Sequence, residues 1–215
     1  MRVRDRLYAE DPFEGVDVSG VKPDRQGWGS DNPIISEYIT KLRPVRIAEV
    51  GVWKGRCALN MVRYCRELEL QAEIICIDTW LGSKEHWLRR DDPNFYDSLK
   101  IKHGLPQIYW TFVRNVLEAN AQDFITPMPM PSEAAFHVLR EFNVSLDMVH
   151  VDAAHEYDAV SADLRRYWSL LRPGGVLIGD DYVPGWPQVR RAADEFASAV
   201  NREIRVEGRK YVIEY

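Results

Sequence analysis

Residues 46–56 read RIAEVGVWKGR, and this stretch decides the fold of the chain. An apolar run typical of a β-strand enters a turn that carries Gly51 and Gly55, and a segment with helical spacing of apolar residues follows. Glycines let the backbone turn sharply and approach a ligand, and the first turn of the helix presents free N–H groups. The stretch therefore predicts a strand, a tight turn and a helix, with a ligand site where the strand ends.

The same alternation of strand and helix patterns continues along the chain. The predicted strands are 46–52, 73–78, 124–128, 146–152 and 175–180, and amphipathic helices separate them. Two short alternating runs, 203–206 and 210–215, flank a tight turn and predict an antiparallel hairpin. The pattern predicts an α/β fold with a Rossmann-like, doubly wound, mostly parallel sheet of seven strands that ends in this hairpin.

The length of 215 residues suits one domain. Residues 1–29 are polar, rich in Asp, Gly and Pro, and lack a period, so they predict an N-terminal arm or lid. Residues 30–215 then form the single domain. Residues 81–106 also lack a clear period and predict an insertion that caps the site, although a solvated loop is the alternative.

Charge and composition limit the partners. The net charge of -5 and pI near 5.6 give no basic field for a nucleic acid, so a small-molecule substrate is expected. No apolar run approaches the roughly 20 residues of a membrane span, and the first residues do not resemble a signal peptide. Three unpaired cysteines, Cys57, Cys65 and Cys76, predict reduced thiols. We expect a cytoplasmic protein, with a homodimer plausible.

A second strand end supports a nucleoside site. Asp78 closes the strand 73–78 at about the interval after the glycine turn from which an acidic side chain accepts hydrogen bonds from ribose. A nicotinamide dinucleotide site needs Gly-x-Gly-x-x-Gly to admit a pyrophosphate, but Trp53 stands in place of the middle glycine. The indole would obstruct the pyrophosphate, so the sequence favours another nucleoside cofactor over that of a dehydrogenase.

Carboxylates also end the fourth and fifth predicted strands. If these strands are neighbours, Asp152, Asp180 and Asp181 converge, and three carboxylates cannot stay ionised together without a counter-charge. All-oxygen ligation favours Mg²⁺, or another divalent cation such as manganese or calcium, over zinc. The alternative is that Asp180 or Asp181 caps the next turn while Asp152 pairs with an arginine.

Residues 49–56 resemble the first motif of class I S-adenosylmethionine-dependent methyltransferases. Residues 45–185 are similar to a family of small-molecule and sugar O-methyltransferases with the pattern Asp-x-x-His-x-Tyr, a helix, Leu-x-Pro-Gly-Gly, a strand and Asp-Asp-Tyr. This chain departs from many members in carrying Ala153-Ala154 between the Asp and the His. Its Asp-Asp ending looks more like the sugar and aminocoumarin branch, which implies natural product biosynthesis.

The resemblance implies methyl transfer from S-adenosylmethionine to a hydroxyl of a sugar, diol or phenol. A divalent metal would activate the acceptor oxygen, because a bound cation lowers the pKa of a coordinated oxygen by several units. The resemblance implies metal ligands at Asp152, Asp180 and Asp181, and it places a base three residues after the first of them, at His155. Catalysis is thus assigned to His155 and Asp152. The expected cofactor-binding residues are Glu49, Gly51, Trp53, Gly55, Asp78, Thr79, Trp80, Ser132 and Asp152.

Several of these residues have an alternative interpretation. His155 can be a helix-start residue without a catalytic role, and Ser132 can cap the next helix instead of contacting adenine. His150 lies mid-strand among apolar residues and predicts a hydrogen-bonded core histidine. Two other function classes stay open, namely a cofactor-binding protein without transferase activity and a hydroxylase-like relative, which would need a redox-active metal.

Overall fold

Seven strands form one mixed sheet in the computed structural model, which describes residues 1–215. The strands are β1 Arg46–Val50, β2 Glu73–Asp78, β3 Ile125–Pro129, β4 Leu146–Val151, β5 Leu171–Gly179, β6 Arg205–Glu207 and β7 Lys210–Glu214. The helices are α1 Arg4–Leu7, α2 Pro33–Leu42, α3 Arg56–Glu67, α4 Lys84–Leu88, α5 Ile108–Glu118, α6 Ser132–Glu141, α7 Tyr157–Trp168 and α8 Pro187–Ala199. A short 3-10 helix spans Tyr96–Leu99.

The strand order is β3-β2-β1-β4-β5-β7-β6. Strands β1 to β5 run parallel, and β7 pairs antiparallel with both β5 and β6. The direction of winding reverses between β1 and β4, and ligands of open α/β sheets bind in the crevice that such a reversal opens. The predicted Rossmann-like fold, with its terminal antiparallel hairpin, is confirmed.

Helices cover both faces of the sheet, because the parallel strands are apolar on both sides. One core contains Met61 of α3 and Phe112 of α5, and the other contains Leu164 of α7 and Phe196 of α8. The two cores hold the strand ends in register. Val50 pairs with Ile77 on one side and with Val151 on the other. The loops after β1, β2 and β4 therefore begin at the same edge.

The bounds of the elements differ from the predicted ones mainly around β5. The fifth predicted strand is 175–180, but β5 begins earlier, at Leu171, shortly after α7 ends at Trp168. Gly174 adopts a φ of 77°, and the pairing of β4 with β5 shifts register between Leu146 and Met148. The Pro-Gly-Gly segment is thus an irregularity within the strand.

Residues 1–29 are attached to the domain by specific contacts. The backbone N–H groups of Val3 and Arg4 donate to the Glu73 carboxylate at 3.0 and 3.1 Å. The side chain of Asn115 bonds both the N–H and the carbonyl of Asp24. This attachment carries residues 26–28 to the carboxyl edge of the sheet, where Gln26, Gly27 and Trp28 line a cavity.

The segment 81–106 contains α4 and the 3-10 helix. It contributes residues 82–86 and Phe95 to the wall of the same cavity. No helix in the structure combines the length and apolar character needed to cross a membrane.

Candidate cofactor and active site

A cavity of about 610 Å³ lies at the carboxyl edge of the sheet. The loops after β1, β2, β4 and β5 form its floor, and the N-terminal arm and the segment around α4 cover it. Of the residues expected to bind cofactor, those that line the cavity are Glu49, Gly51, Trp53, Asp78, Thr79, Ser132 and Asp152.

Gly51 brings the turn after β1 against the end of β4. Its φ is 86°, and a Cβ at this position would lie 2.0 Å from the carbonyl oxygen of Asp152. No side chain fits that space, and the left-handed conformation is strained for any residue except glycine. Glycine is therefore needed here for two independent reasons.

Asp78 holds the glycine turn in place. Its Oδ2 accepts from the N–H groups of Val52 and Trp53, both at 2.8 Å, and its Oδ1 accepts from Trp80 N–H at 2.7 Å. Burial raises the pKa of Asp78, and the backbone donors oppose that shift. The residue predicted to bind ribose thus also organises the loop, and Oδ1 keeps capacity for another donor.

Glu49 is a buried carboxylate with an unpaired oxygen. Its side chain is 1% exposed, and Oε2 has no hydrogen-bond partner. Burial raises its pKa to about 8. Leaving a buried polar atom unpaired is costly, and the atom belongs to a residue of the cavity wall. A cationic ligand group would give this oxygen its partner.

Two residues predicted to contact the cofactor do not line the cavity. Trp80 is 2% exposed, donates its indole N–H to the Trp53 carbonyl at 2.7 Å and packs on Tyr109 and Phe112. A Cβ on Gly55 would lie 2.7 Å from the Phe112 ring. Both residues support the loop from behind.

Aromatic rings from the glycine turn, the N-terminal arm and the segment around α4 form one wall of the cavity. The rings of Trp53 and His86 stack with centroids 4.2 Å apart, and Trp28 stacks on Phe95 at 6.2 Å. Burial lowers the pKa of His86 to about 4, so this ring is neutral at physiological pH. The sequence analysis had assigned no role to His86 or Phe95.

Ser132 neither caps its helix with its side chain nor bonds the backbone. Its hydroxyl donates to Asp163 Oδ1 at 2.7 Å, and both residues line the cavity. The hydroxyl and carboxylate form a polar patch beside the loop after β3.

His155 and Asp181 form a hydrogen-bonded pair in the cavity wall. His155 Nε2 lies 2.9 Å from Asp181 Oδ2, and the imidazole stacks on Trp186 with centroids 4.0 Å apart. Burial alone lowers the pKa of His155, but the hydrogen bond and charge of Asp181 outweigh it and leave that pKa raised. The pair resembles the base-and-orienter arrangement of proton-transfer sites.

The three carboxylates converge as the sequence predicts. Ligand atoms of Asp152, His155 and Asp181 lie within 4.8 Å of one another. Burial, followed by the charge of Asp180, raises the pKa of Asp152 to about 7. Burial would also raise the pKa of Asp180, but the charge and hydrogen bond of Lys210 lower it.

The counter-charge of the cluster comes from Arg209 and Lys210. Asp180 Oδ1 accepts from Arg209 Nε at 2.7 Å and Oδ2 accepts from Lys210 Nζ at 2.5 Å, while Asp181 Oδ1 accepts from Arg209 Nη2. Since His155 bonds the other Asp181 oxygen, each of the four oxygens of this pair accepts a hydrogen bond, and Asp180 Oδ1 also accepts from the Asp181 N–H. A divalent metal does not fit between these two carboxylates unless Arg209 leaves.

The sequence analysis did not find Arg209 and Lys210. They stand at the start of the last strand, far from the acidic motifs along the chain, and their only sequence signal is their place in the predicted hairpin. His150 behaves as expected, since it is buried and its Nε2 lies 2.8 Å from Lys210 Nζ.

Comparison with known proteins agrees with this geometry. The sequence profile of the family described as Methyltransferase domain matches residues 48–182, more than half of the chain. No curated protein sequence matches it. Among solved structures, the calicheamicin methyltransferase CalS11 is 16% identical with a TM-score of 0.62, covering 85% of this chain and 76% of its own.

Two further structures are similar at low identity. An O-methyltransferase from Bacillus cereus, solved in complex with SAH, is 14% identical with a TM-score of 0.60 over 99% of this chain and 95% of its own. The O-methyltransferase NovP is 16% identical with a TM-score of 0.59 over 84% and 76%. At these identities the structures establish the fold, and the profile match establishes the family. The chain therefore belongs to the methyltransferase domain family and has the class I methyltransferase fold.

Proposed function

We propose that this protein transfers the methyl group of S-adenosylmethionine to a hydroxyl oxygen of a small molecule. The observation that carries the proposal is the unpaired, buried Oε2 of Glu49 in the wall of a cavity that also contains the His155–Asp181 pair. The first feature suits the cationic end of the methyl donor, and the second suits removal of a proton from the acceptor.

The residues present fit S-adenosylmethionine. Glu49 Oε2 would accept a hydrogen bond from the donor's ammonium group, and Asp78 Oδ1 would accept one from a ribose hydroxyl. The cradle at Gly51, which a Cβ would fill, lets the donor approach the backbone. When bound, S-adenosylmethionine supplies an electrophilic methyl group on a positively charged sulfur.

His155 serves as the base. Asp181 accepts a hydrogen bond from Nε2–H, which keeps the proton on that nitrogen and leaves Nδ1 to accept the proton of the acceptor hydroxyl. The acceptor oxygen, relieved of its proton by His155, would then take the methyl group, and the donor's sulfur would keep the electron pair of the broken carbon–sulfur bond. Stacking on Trp186 fixes the plane of the imidazole during this step.

The aromatic wall indicates the acceptor class. Trp28, Trp53, His86 and Phe95 offer flat apolar surfaces, while Arg209 and His155 offer polar contacts. Such a mixture suits a sugar or a phenol, which present an apolar face and hydroxyl edges. CalS11, described as a TDP-rhamnose 3'-O-methyltransferase, is similar in fold. This supports a hydroxylated small molecule as the acceptor class.

The divalent metal predicted from the sequence does not enter this mechanism, because Arg209 and Lys210 hold the carboxylates that would ligate it. No step in the proposal depends on a metal.

Calorimetric titration with S-adenosylmethionine tests the donor site. We expect the wild-type protein to bind it and Glu49→Gln to bind it at least about tenfold more weakly, because the charge-assisted bond is lost. Glu67→Gln is the matched control, since Glu67 is exposed on α3 and pairs only with Arg63. A wild-type protein that does not bind the donor would rule the proposal out.

A second experiment separates a transferase from a protein that only binds the donor. Methyl transfer is measured against a panel of sugars, diols and phenols, with His155→Gln as the test variant. We expect transfer to at least one class of acceptor, and a loss of about 10²-fold or more in His155→Gln with donor binding retained. Donor binding without transfer to any acceptor in the panel would favour a binding protein.

A further inference from the structure

We propose that the guanidinium of Arg209 and the ammonium of Lys210 take the place of a divalent cation at the ends of β4 and β5. The protein then holds its acidic cluster without a metal and presents Arg209 to the acceptor. The inference rests on the proposed function only where it concerns the acceptor.

Lys210 is the inner of the two cations. Its side chain is 0% exposed, and its Nζ lies 2.5 Å from Asp180 Oδ2 and 2.8 Å from His150 Nε2. A buried ammonium needs such partners, because an unpaired charge in the interior is strongly unfavourable. Lys210 is therefore a fixed part of the fold, and water cannot easily replace it.

Arg209 is the outer cation and bridges the two carboxylates. Its Nε bonds Asp180 and its Nη2 bonds Asp181, so one planar group joins adjacent acidic residues. Arg209 also belongs to the cavity wall. The guanidinium thus occupies the position between Asp180 and Asp181 that a metal would need, and it lines the cavity in which the acceptor would bind.

The N-terminal arm leaves room for this arrangement at Gly29. A Cβ there would lie 2.8 Å from both Arg209 Cδ and Asp180 Oδ2, and the φ of Gly29 is 60°. The Tyr182 N–H donates to the Arg209 carbonyl at 2.8 Å, which ties the hairpin turn to the loop after β5. The Tyr182 bond thus holds the Arg209 backbone beside the loop after β5, and the missing side chain at Gly29 leaves space for the guanidinium arm.

The carboxylates of Asp180 and Asp181 are neutralised without a metal. Two cations face the carboxylates of Asp180 and Asp181, and Asp152 is the third acidic group of the cluster. Magnesium requires near-octahedral oxygen ligation, and the four oxygens of the Asp180–Asp181 pair already accept hydrogen bonds. A metal held between Asp180 and Asp181 would have to displace Arg209, which bridges them.

Titration with Mn²⁺ tests the proposal without reference to activity. The electron paramagnetic resonance signal of the free ion measures how much Mn²⁺ stays unbound. We expect no site in the wild-type protein up to about 1 mM Mn²⁺, the weak end of carboxylate sites for divalent cations. Arg209→Ala leaves Asp181 Oδ1 without a partner and Asp180 Oδ1 with only the Asp181 N–H, and we expect the variant to gain a Mn²⁺ site. Arg205→Ala is the matched control, because Arg205 lies in the same hairpin but pairs with the exposed Glu37 and Glu207.

The outcomes are distinct. Tight Mn²⁺ binding by the wild-type protein, lost in Asp181→Asn, would overturn the proposal, and so would a folded Arg209→Ala protein that gains no site. If Arg209→Ala does not fold, Arg209→Gln and the wild-type titration decide the question. Failure of the proposed function would appear separately, as a wild-type protein that binds neither donor nor Mn²⁺.

A parallel assay addresses the acceptor. The assay uses an acceptor that the wild-type protein is found to methylate. We expect a chelator to leave the rate of methyl transfer unchanged. In Arg209→Ala we expect the KM for the acceptor to rise about tenfold, the size of a lost charged hydrogen bond. Arg205→Ala should keep the wild-type KM. Loss of activity on chelation, restored by Mg²⁺, would contradict the proposal.

Discussion

His155 Nε2 and Asp181 Oδ2 lie 2.9 Å apart, although α7 and β5 lie between the two residues in the chain. The contact exists because β4 and β5 are parallel neighbours whose carboxyl ends meet at one edge. It leaves the second nitrogen of His155 free of the carboxylate, in a ring held flat against Trp186.

The pKa of His155 should depend on Asp181. We expect NMR titration of the His155 ring to give a pKa above 6.5 in the wild-type protein, because Asp181 favours the protonated form. Asp181→Asn should lower it, since burial then opposes only the charges of Asp152 and Glu85. Because a base acts when neutral, the pH at which transfer is half-maximal should fall in the same variant. An unchanged titration in Asp181→Asn would show that the two side chains are not coupled.

Donor binding should release protons through Glu49. Its pKa of about 8 means that the unliganded side chain is mostly protonated at pH 7, whereas an ammonium ligand favours the carboxylate. We therefore expect affinity to rise between pH 6 and about pH 7.5. Calorimetry in buffers of different ionisation enthalpy measures the protons released, and Glu49→Gln should release fewer. Proton uptake on binding would be inconsistent with this role for Glu49.

Gly51→Ala should lower the free energy of unfolding by more than the strain of a left-handed conformation alone would. Gly15 is a natural control, because its φ is 69° and a Cβ there would meet nothing within 4 Å. Gly15→Ala should destabilise by about 1 kcal/mol, while Gly51→Ala adds a clash with backbone and should cost about 4 kcal/mol. Urea denaturation measures both. Equal losses would mean that the turn after β1 shifts freely away from Asp152.

Lys54 should control the order of the N-terminal arm. Its buried Nζ bonds Asp24 Oδ2 at 2.8 Å and Gln26 Oε1 at 2.6 Å, and burial lowers its pKa. We expect Lys54→Met to speed hydrogen exchange in residues 24–28 by about tenfold or more, as charged hydrogen bonds are lost. Lys100→Met is the control, because Lys100 is more exposed and contacts the same Asp24 oxygen at 3.3 Å. Equal hydrogen-exchange rates in residues 24–28 of the two variants would show that Lys54 does not order the arm.

Much of the fold follows from local signals in the sequence. The apolar run 46–52, the glycines after it and the helical spacing of the next segment act over a few residues, so they can be read in order along the chain. The same holds for Asp78, Asp152, Asp180 and Asp181, because a residue at the end of a parallel strand reaches the carboxyl edge whatever surrounds it.

The partners of those residues were decided by the tertiary structure. Arg209 and Lys210 reach Asp180 because β7 runs antiparallel to β5, which pairs Gly179 with Tyr211 and brings the hairpin turn to the carboxyl edge. Trp80 does not line the cavity, because its indole N–H donates to the Trp53 carbonyl and its ring packs on Tyr109 and Phe112 behind the loop.

The sequence by itself thus determined the order of strands and helices and the edge at which the acidic residues gather. The groups that neutralise these acidic residues follow from the tertiary structure, because the charge state of a buried group depends on neighbours that are distant in the chain. A cluster of carboxylates in a sequence suits a metal or a pair of basic side chains equally well. The register of one antiparallel strand brings Arg209 and Lys210 to these carboxylates.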